Sequence, residues 1–323
     1  MQLARIGVTF DGRTGLAQIA EQARVAEAGG ADTLWVACHL FLRDPISTAH
    51  VALAATTRMK VALMAMSPYV MHPVYIAMAA ATLAELYPGR TLLCLGVGSP
   101  GDLAAAGIPA PQPLATLREA IGVCRALFAG ETIRHAGARF QVAGRQLAGA
   151  PAAIPIILAA SGPRTLELAG AAADGVILSS AASVPFVRWS LEQVARGATG
   201  RTLLRSGIVY THVAADGQAI GASFRHRLGF ILRGAHHARN LELGGTPLDQ
   251  QRLYQAYAQG DWPTVAALIT DEVVRCHAAV GTAEQVRARF ADYRAAGLDQ
   301  VIIGGIEDAP GLAAVLHAVQ AMV

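Results

Sequence analysis

Residues 60–96, KVALMAMSPYVMHPVYIAMAAATLAELYPGRTLLCLG, set the fold. The stretch opens on a short apolar run at 60–66, the length of a single strand. His72-Pro73 follows, and proline at a first helical position is a start signal because its missing N–H would have had no partner there. A helical, alanine-rich pattern then leads to a second short apolar run at 91–96. Strand, helix and strand in that order make a parallel unit, since parallel neighbours need a long crossover between them.

The alternation continues outward in both directions. Strand candidates stand at 5–9, 33–38, 60–66, 91–96, 154–159, 175–178, 207–213 and 300–304, each followed by a helical pattern. Asp44-Pro45 and Gly162-Pro163 repeat the proline cue, and Gly29-Gly30 and Gly297 stop helices just before strands. Eight strands in strict alternation with helices predict an α/β fold of TIM-barrel type, (β/α)8, with residues 1–323 as one domain. An open doubly wound sheet is the competing arrangement. The first strand–helix turn, Asp11-Gly12-Arg13-Thr14-Gly15, lacks the dinucleotide-binding glycine spacing that would favour it.

Two segments exceed a minimal barrel. Residues 131–147, ETIRHAGARFQVAGRQL, read as a hairpin-like insertion after the fourth helix, turning at 135–137. Residues 216–281 are polar and helical and contain FRHRLGFILRGAHHARNLE at 224–242 and a Gly260-Asp261-Trp262 turn. An insertion of that size between strands seven and eight would cover the barrel mouth, where TIM barrels place their active sites.

Composition narrows the function classes. The 323 residues are 53% hydrophobic and 15% charged, which excludes a disordered chain. Twenty-six basic against 23 acidic residues give +3, and the basic residues are scattered with Lys60 the single lysine, so no nucleic-acid-binding surface is expected. Mean hydropathy is +0.39, yet no apolar run approaches the ~20 residues of a membrane span. The N-terminus runs directly into a strand pattern with no signal-peptide core, and Cys38, Cys94, Cys124 and Cys276 form no CxxC pair. Buried free thiols and a cytoplasmic location are expected. No metal-ligand spacing, G-x-S-x-G or P-loop is present, so metal, hydrolase and kinase readings drop out.

Three separated motifs then carry a resemblance. HPVYIAMAAATLAELYPGRTLLCLGVGSPGD at 72–102, AASGPRTLELAGAAADGVIL at 159–178 and VGTAEQVRARFADYRAAGLDQVIIGG at 280–305 resemble the luciferase-like monooxygenase superfamily. The closer likeness is to its coenzyme F420-dependent, methylenetetrahydromethanopterin reductase-like branch. It covers essentially the whole chain and speaks for the cofactor site and barrel rather than for one substrate.

What the resemblance implies falls on the strand C-termini. His39, after strand two, would lie beside the cofactor ring and balance charge or move a proton, work suited to an imidazole. The family commonly carries Asp just before this His, whereas Cys38 stands here and cannot supply a carboxylate. Met64, Ala65 and Met66 correspond to a bulge with a non-proline cis peptide against the ring, with Met64 departing from the family's small residue. Gly96, Val97, Gly98 and Ser99 match a glycine-rich turn lining the same pocket. Ala160, Ser161, Gly162 and Arg164 form the phosphate end, where free N–H groups at a helix start, a hydroxyl and a side-chain-free position suit an anion. Asp102 reads either as an acid near the substrate or as a loop cap; His212 and the pair His236-His237 read as mouth-facing or exposed.

The expected activity is hydride transfer between coenzyme F420 and a small organic substrate. An FMN-dependent monooxygenase using dioxygen is the rival enzyme, and a non-catalytic ligand-binding barrel the rival of another class. A homodimer packed through early helices is implied; the apolar runs at 50–56 and 76–86 suit that or the core equally.

Overall fold

A computed structural model describes residues 5–214, 220–306 and 308–320. In chain order the first elements are β1 (Arg5–Phe10), α1 (Leu16–Ala28), β2 (Thr33–Ala37), α2 (Pro45–Ala54), β3 (Lys60–Met66), α3 (Pro73–Leu86) and β4 (Thr91–Leu95). Then come α4 (Pro100–Ala105), α5 (Pro113–Phe128), β5 (Ile133–Ala136), β6 (Gln141–Arg145), β7 (Ile156–Ala160), α6 (Pro163–Ala172), β8 (Gly175–Leu178), α7 (Val184–Ala198) and β9 (Leu204–Val213). The lid helices are α8 (Ala222–Leu232), α9 (Ala238–Leu243), α10 (Gln250–Gln259), α11 (Trp262–Leu268) and α12 (Asp271–His277), before β10 (Ala278–Gly281), α13 (Ala283–Ala295), β11 (Gln300–Gly304) and α14 (Ala309–Gln320).

Strands β1, β2, β3, β4, β7, β8, β9 and β11 pair in parallel in that cyclic order, and the β8–β9 and β11–β1 pairings close the barrel. The predicted TIM barrel is therefore present. The proline cues act as read: Asp44 caps α2 by accepting from the Ser47 N–H at 2.7 Å, and Gly162 is the N-cap of α6. Gly30 has φ +78°, as a helix stop requires, but Gly29 does not. Gly29 is small for another reason, since a Cβ there would stand 2.5 Å from Leu316 of α14.

The insertions need two corrections. The hairpin is β5–β6, but His135 lies within β5; the reversal comes at Gly137, whose N–H bonds the Phe140 carbonyl at 3.0 Å. Glu119 fixes that turn by accepting from the N–H groups of Ala138, Arg139 and Phe140. The long insertion is helical from 222 to 277, but its end forms a further strand, β10, parallel to the tip of β9. Its first residues lie outside the described residues.

Burial divides into three layers. The outer core packs strands against helices, with Leu34, Val36, Leu63, Leu93 and Leu158 among its members. A second cluster fills the barrel, including Trp35, Ala62, Cys94, Ile157, Ile177, Ile208 and Ile302. A third is the lid's own core, around Leu228, Leu253 and Val265. Of the four cysteines, Cys94 and Cys124 are buried while Cys38 and Cys276 are only half-buried, and all are free thiols. Among the described residues no helix is long and apolar enough to cross a membrane.

Candidate functional site

Strand alternation decides what the barrel mouth presents, because every second residue faces the axis. On β2, Trp35 and Ala37 face the interior and Val36 faces the helices. Two residues beyond Ala37, His39 continues the inner face. On β7, Ile157 and Ala159 point inward, and Ser161 follows.

The third strand breaks this rhythm. The Met64–Ala65 peptide bond is cis, as the family resemblance implies. Pairing with β4 slips by one residue between Leu63 and Met66, so β3 carries an extra residue there. Met64 and Ala65 consequently both join the interior cluster, and Met66 turns out to the helix layer. Hydrogen bonds flank the bulge, from the Cys38 N–H to the Met64 carbonyl and from the Gly96 N–H to the Met66 carbonyl.

Small residues keep the floor beside the bulge low. A Cβ on Gly96 would stand 2.8 Å from the Ala65 Cβ and 3.3 Å from that of Ala159. Below lie Cys94, Ile157 and Ile177. A shallow apolar floor of this kind accepts a flat ring.

One polar pair stands at its edge. His39 Nδ1 lies 3.4 Å from Asp102 Oδ2, with the two side chains 43% and 32% exposed. Ser99 caps the short helix α4 by accepting from the Asp102 N–H, which places Asp102 over the end of β4. Asp102 is thus the acid that the sequence left undecided, and it reaches His39 from the short helix α4 after β4.

The residues expected at the phosphate end gather at the start of α6. Gly162 opens α6, and a Cβ there would meet nothing within 4 Å. Arg164 is exposed, and together with Arg118, Gln112 and Thr165 it lines a cavity of about 510 Å³ between the starts of α5 and α6. A cavity of about 420 Å³ lies at the opposite, N-terminal end of the barrel among Arg5, Asp32, Lys60 and Gln300, far from this chemistry.

Several anticipated site residues face elsewhere. Cys38 packs its side chain on the outer layer, and burial, reinforced by Asp44 and Asp102, pushes its thiol up to about 11. Met66 and Ala160 are buried in the outer core, the first because of the β3 bulge and the second through strand parity. Val97 also packs on that layer, while its carbonyl accepts from Ser67 Oγ at 2.6 Å. Gly98 holds φ +99° with Ser67 beside it. His212 is exposed, its ring 6.0 Å from Phe224 of the lid.

Of the lid pair, His236 is exposed but His237 is 1% exposed. His237 belongs to a node in which Asn240 Nδ2 donates to the Ala181 carbonyl and Asn240 Oδ1 accepts from the Ser183 N–H. His277 joins it, with Nδ1 at 2.9 Å from the Ala181 carbonyl and Nε2 at 2.7 Å from Thr246 Oγ1. Burial holds both imidazoles neutral, His237 at about 3 and His277 at about 4. These histidines fasten the lid to the loop after β8.

Tyr210, at the mouth on β9, went unnoticed in the sequence. The available signal was parity with His212 on the same strand. Among the described residues no group of three or more His, Cys, Asp or Glu side chains is arranged to hold a metal ion.

Known proteins with this architecture share the sequence pattern. A 5,10-methylenetetrahydromethanopterin reductase from Methanolobus tindarius is 29% identical over 304 residues, 92% of this chain and 93% of the relative. The solved coenzyme F420-dependent tetrahydromethanopterin reductase from Methanopyrus kandleri superposes with a TM-score of 0.90 at 21% identity, covering 99% of both chains. A monooxygenase from Streptomyces bottropensis superposes at 0.71 and 20% identity, covering 98% of this chain and 99% of that one. The family model described as luciferase-like monooxygenase matches residues 2–300, and the chain belongs to that family.

Proposed function

We infer that this chain is a coenzyme F420-dependent oxidoreductase that passes a hydride between the deazaflavin and a small organic substrate. The observation that carries the reading is the mouth itself: a bulged, small-residue floor with the His39–Asp102 pair on its rim. A solved reductase and a relative that is a dehydrogenase, both named as F420-dependent, support the choice of cofactor.

The residues fit such a group. Ala65, Gly96 and Ala159 would seat the ring. Ser161 and the start of α6 at Gly162 would receive the phosphate, with Arg164 adding charge and no protein Cβ contesting the space. When bound, the cofactor supplies the carbon that gives or accepts hydride.

His39 handles the accompanying charge. Asp102, 3.4 Å from Nδ1, would favour the tautomer in which Nδ1 carries hydrogen and Nε2 bears a lone pair. Nε2 has no protein partner among the described residues and is the atom that would take or return a proton at the mouth. Cys38 does not weaken this device, since its thiol faces away and Asp102 supplies the carboxylate. The non-catalytic alternative, which rested on Cys38 and Met64, loses its first support.

Fluorescence titration of the protein with F420 and, separately, FMN tests the cofactor. Saturable, tighter binding of F420 is expected. Tighter FMN binding, with oxygen consumption when that flavin is reduced, would establish the monooxygenase instead.

The reading extends to a homodimer. Tyr75, Met78 and Leu86 stand exposed on α3 at helical spacing, an apolar stripe outside the barrel. A second copy covering it predicts a dimeric mass in light scattering that Met78→Glu with Leu86→Glu converts to a monomer. A monomeric parent protein would refute the dimer.

A further inference from the structure

The wall opposite the bulge belongs to β9, since β3 and β9 are four strands apart in either direction round the barrel. Ile208 lies in the interior cluster, and Tyr210, next on the same face, touches both that cluster and the lid core. Its ring is fixed by the two glycines that end the last strand. A Cβ on Gly305 would stand 2.7 Å from a ring carbon and one on Gly304 3.4 Å away. Gly305 also has φ +79°, so the backbone itself favours glycine there.

The hydroxyl of this wedged ring stands apart from the others. Tyr69 donates to the Pro111 carbonyl, Tyr257 to the His226 carbonyl and Tyr293 to the Ala182 carbonyl, while Tyr87 pairs with His50. Only Tyr75 and Tyr254, both well exposed, and Tyr210 lack a hydrogen bond among the described residues. Tyr210 itself is half-buried at the barrel mouth. Buried phenols ordinarily find a partner.

We propose that Tyr210 is a substrate contact, its hydroxyl donating a hydrogen bond to a carbonyl or alcohol oxygen of the molecule held between it and the floor. The inference rests on the cofactor reading above and names the substrate class: a small organic molecule with an oxygen acceptor near its reacting carbon. Burial, and next Asp11, push the phenol up to about 12, against the pull of Arg227 and Arg13, so it remains a donor at neutral pH. A site built around such a donor discriminates against analogues lacking the acceptor.

The test uses the full chain containing 3-fluorotyrosine, with the Tyr210 fluorine resonance assigned through Tyr210→Phe. F420 is added first and acetone, as the carbonyl probe, second. The Tyr210 signal should shift saturably with acetone while the Tyr75 and Tyr254 signals stay put. Tyr210→Phe, which keeps the ring on Gly304 and Gly305, should weaken acetone binding roughly threefold to tenfold and leave F420 affinity unchanged. Failure of F420 to bind would overturn both this and the cofactor reading. F420 binding with a Tyr210 signal unmoved by acetone, or with acetone affinity unaltered in Tyr210→Phe, would overturn the substrate contact alone.

Discussion

The two ends of this barrel treat their polar groups in opposite ways. At the N-terminal end the buried amide of Gln300 uses both faces. Its Oε1 accepts from Trp35 Nε1 at 3.1 Å and Ser206 Oγ at 3.3 Å, and its Nε2 donates to Asp32 Oδ1 at 2.7 Å and Thr33 Oγ1 at 3.3 Å. At the C-terminal end His39 Nε2 and the Tyr210 hydroxyl point at no protein partner among the described residues. Groups that satisfy one another hold a fold together; groups left over are available to something else.

The strongest way to break the comparison is at the open end. His39→Asn keeps a hydrogen-bonding side chain and removes the ionisable one. Turnover should fall about 10²–10⁴-fold with F420 affinity changed by less than about tenfold. The thermal midpoint should not move, because His39 is exposed. Near-full activity would make it a structural imidazole, and loss solely through F420 release would make it a binding residue.

The mirror experiment is Gln300→Leu at the closed end. It strands Trp35 Nε1, Ser206 Oγ and the Asp32 carboxyl, which burial already raises against the opposing hydrogen bonds of Gln300 and Thr33. Urea unfolding should show a loss of about 2–4 kcal/mol. F420 affinity should stay at the parent value, and a large affinity change would dissolve the division of labour between the ends.

Ser161→Ala combined with Gly162→Val sharpens the picture at the anion end. The valine meets open space, so folding should survive, while one hydroxyl donor is lost and the approach to α6 is blocked. At least a roughly tenfold rise in the F420 dissociation constant is expected by titration. Unchanged affinity in the folded variant would move the phosphate elsewhere.

The smallest effect belongs to Glu27, beside the closed end. Desolvation is the largest single influence and raises it, but the N–H groups of Arg58, Met59 and Thr57 together hold its carboxyl at about 2, below its ordinary 4.5. A lowered folded value means the stabilisation is complete above about 4.5 and disappears as pH falls toward 2. With discount for solvent screening, Glu27→Gln should cost about 1 kcal/mol near neutrality. The gap between parent and variant in urea midpoints should close through that acidic window; a constant gap would assign the loss to packing.

Much of this was legible from residue order alone. Strands 175–178 and 300–304 lie where their apolar runs predicted, and Asp44-Pro45 and Gly162-Pro163 start helices as their chemistry requires. Facing was harder to read. A single extra residue in β3 sends Ala65 inward and Met66 outward, and parity sends Cys38 and Ala160 to the helix layer. Contacts made through space left no trace in sequence: Asp102 meets His39 from helix α4, and Tyr210 is held by glycines nearly a hundred residues away. β10 was missed because four residues at the end of a helical insertion carry too little pattern.

A crystal structure of the complex grown with F420 tests the central claim most directly. The account predicts ring density over Ala65, Gly96 and Ala159, His39 beside it, and phosphate density at Ser161 and Gly162. Density in the N-terminal cavity near Gln300, or a bound cofactor that leaves the Met64–Ala65 bulge uncovered, would contradict it.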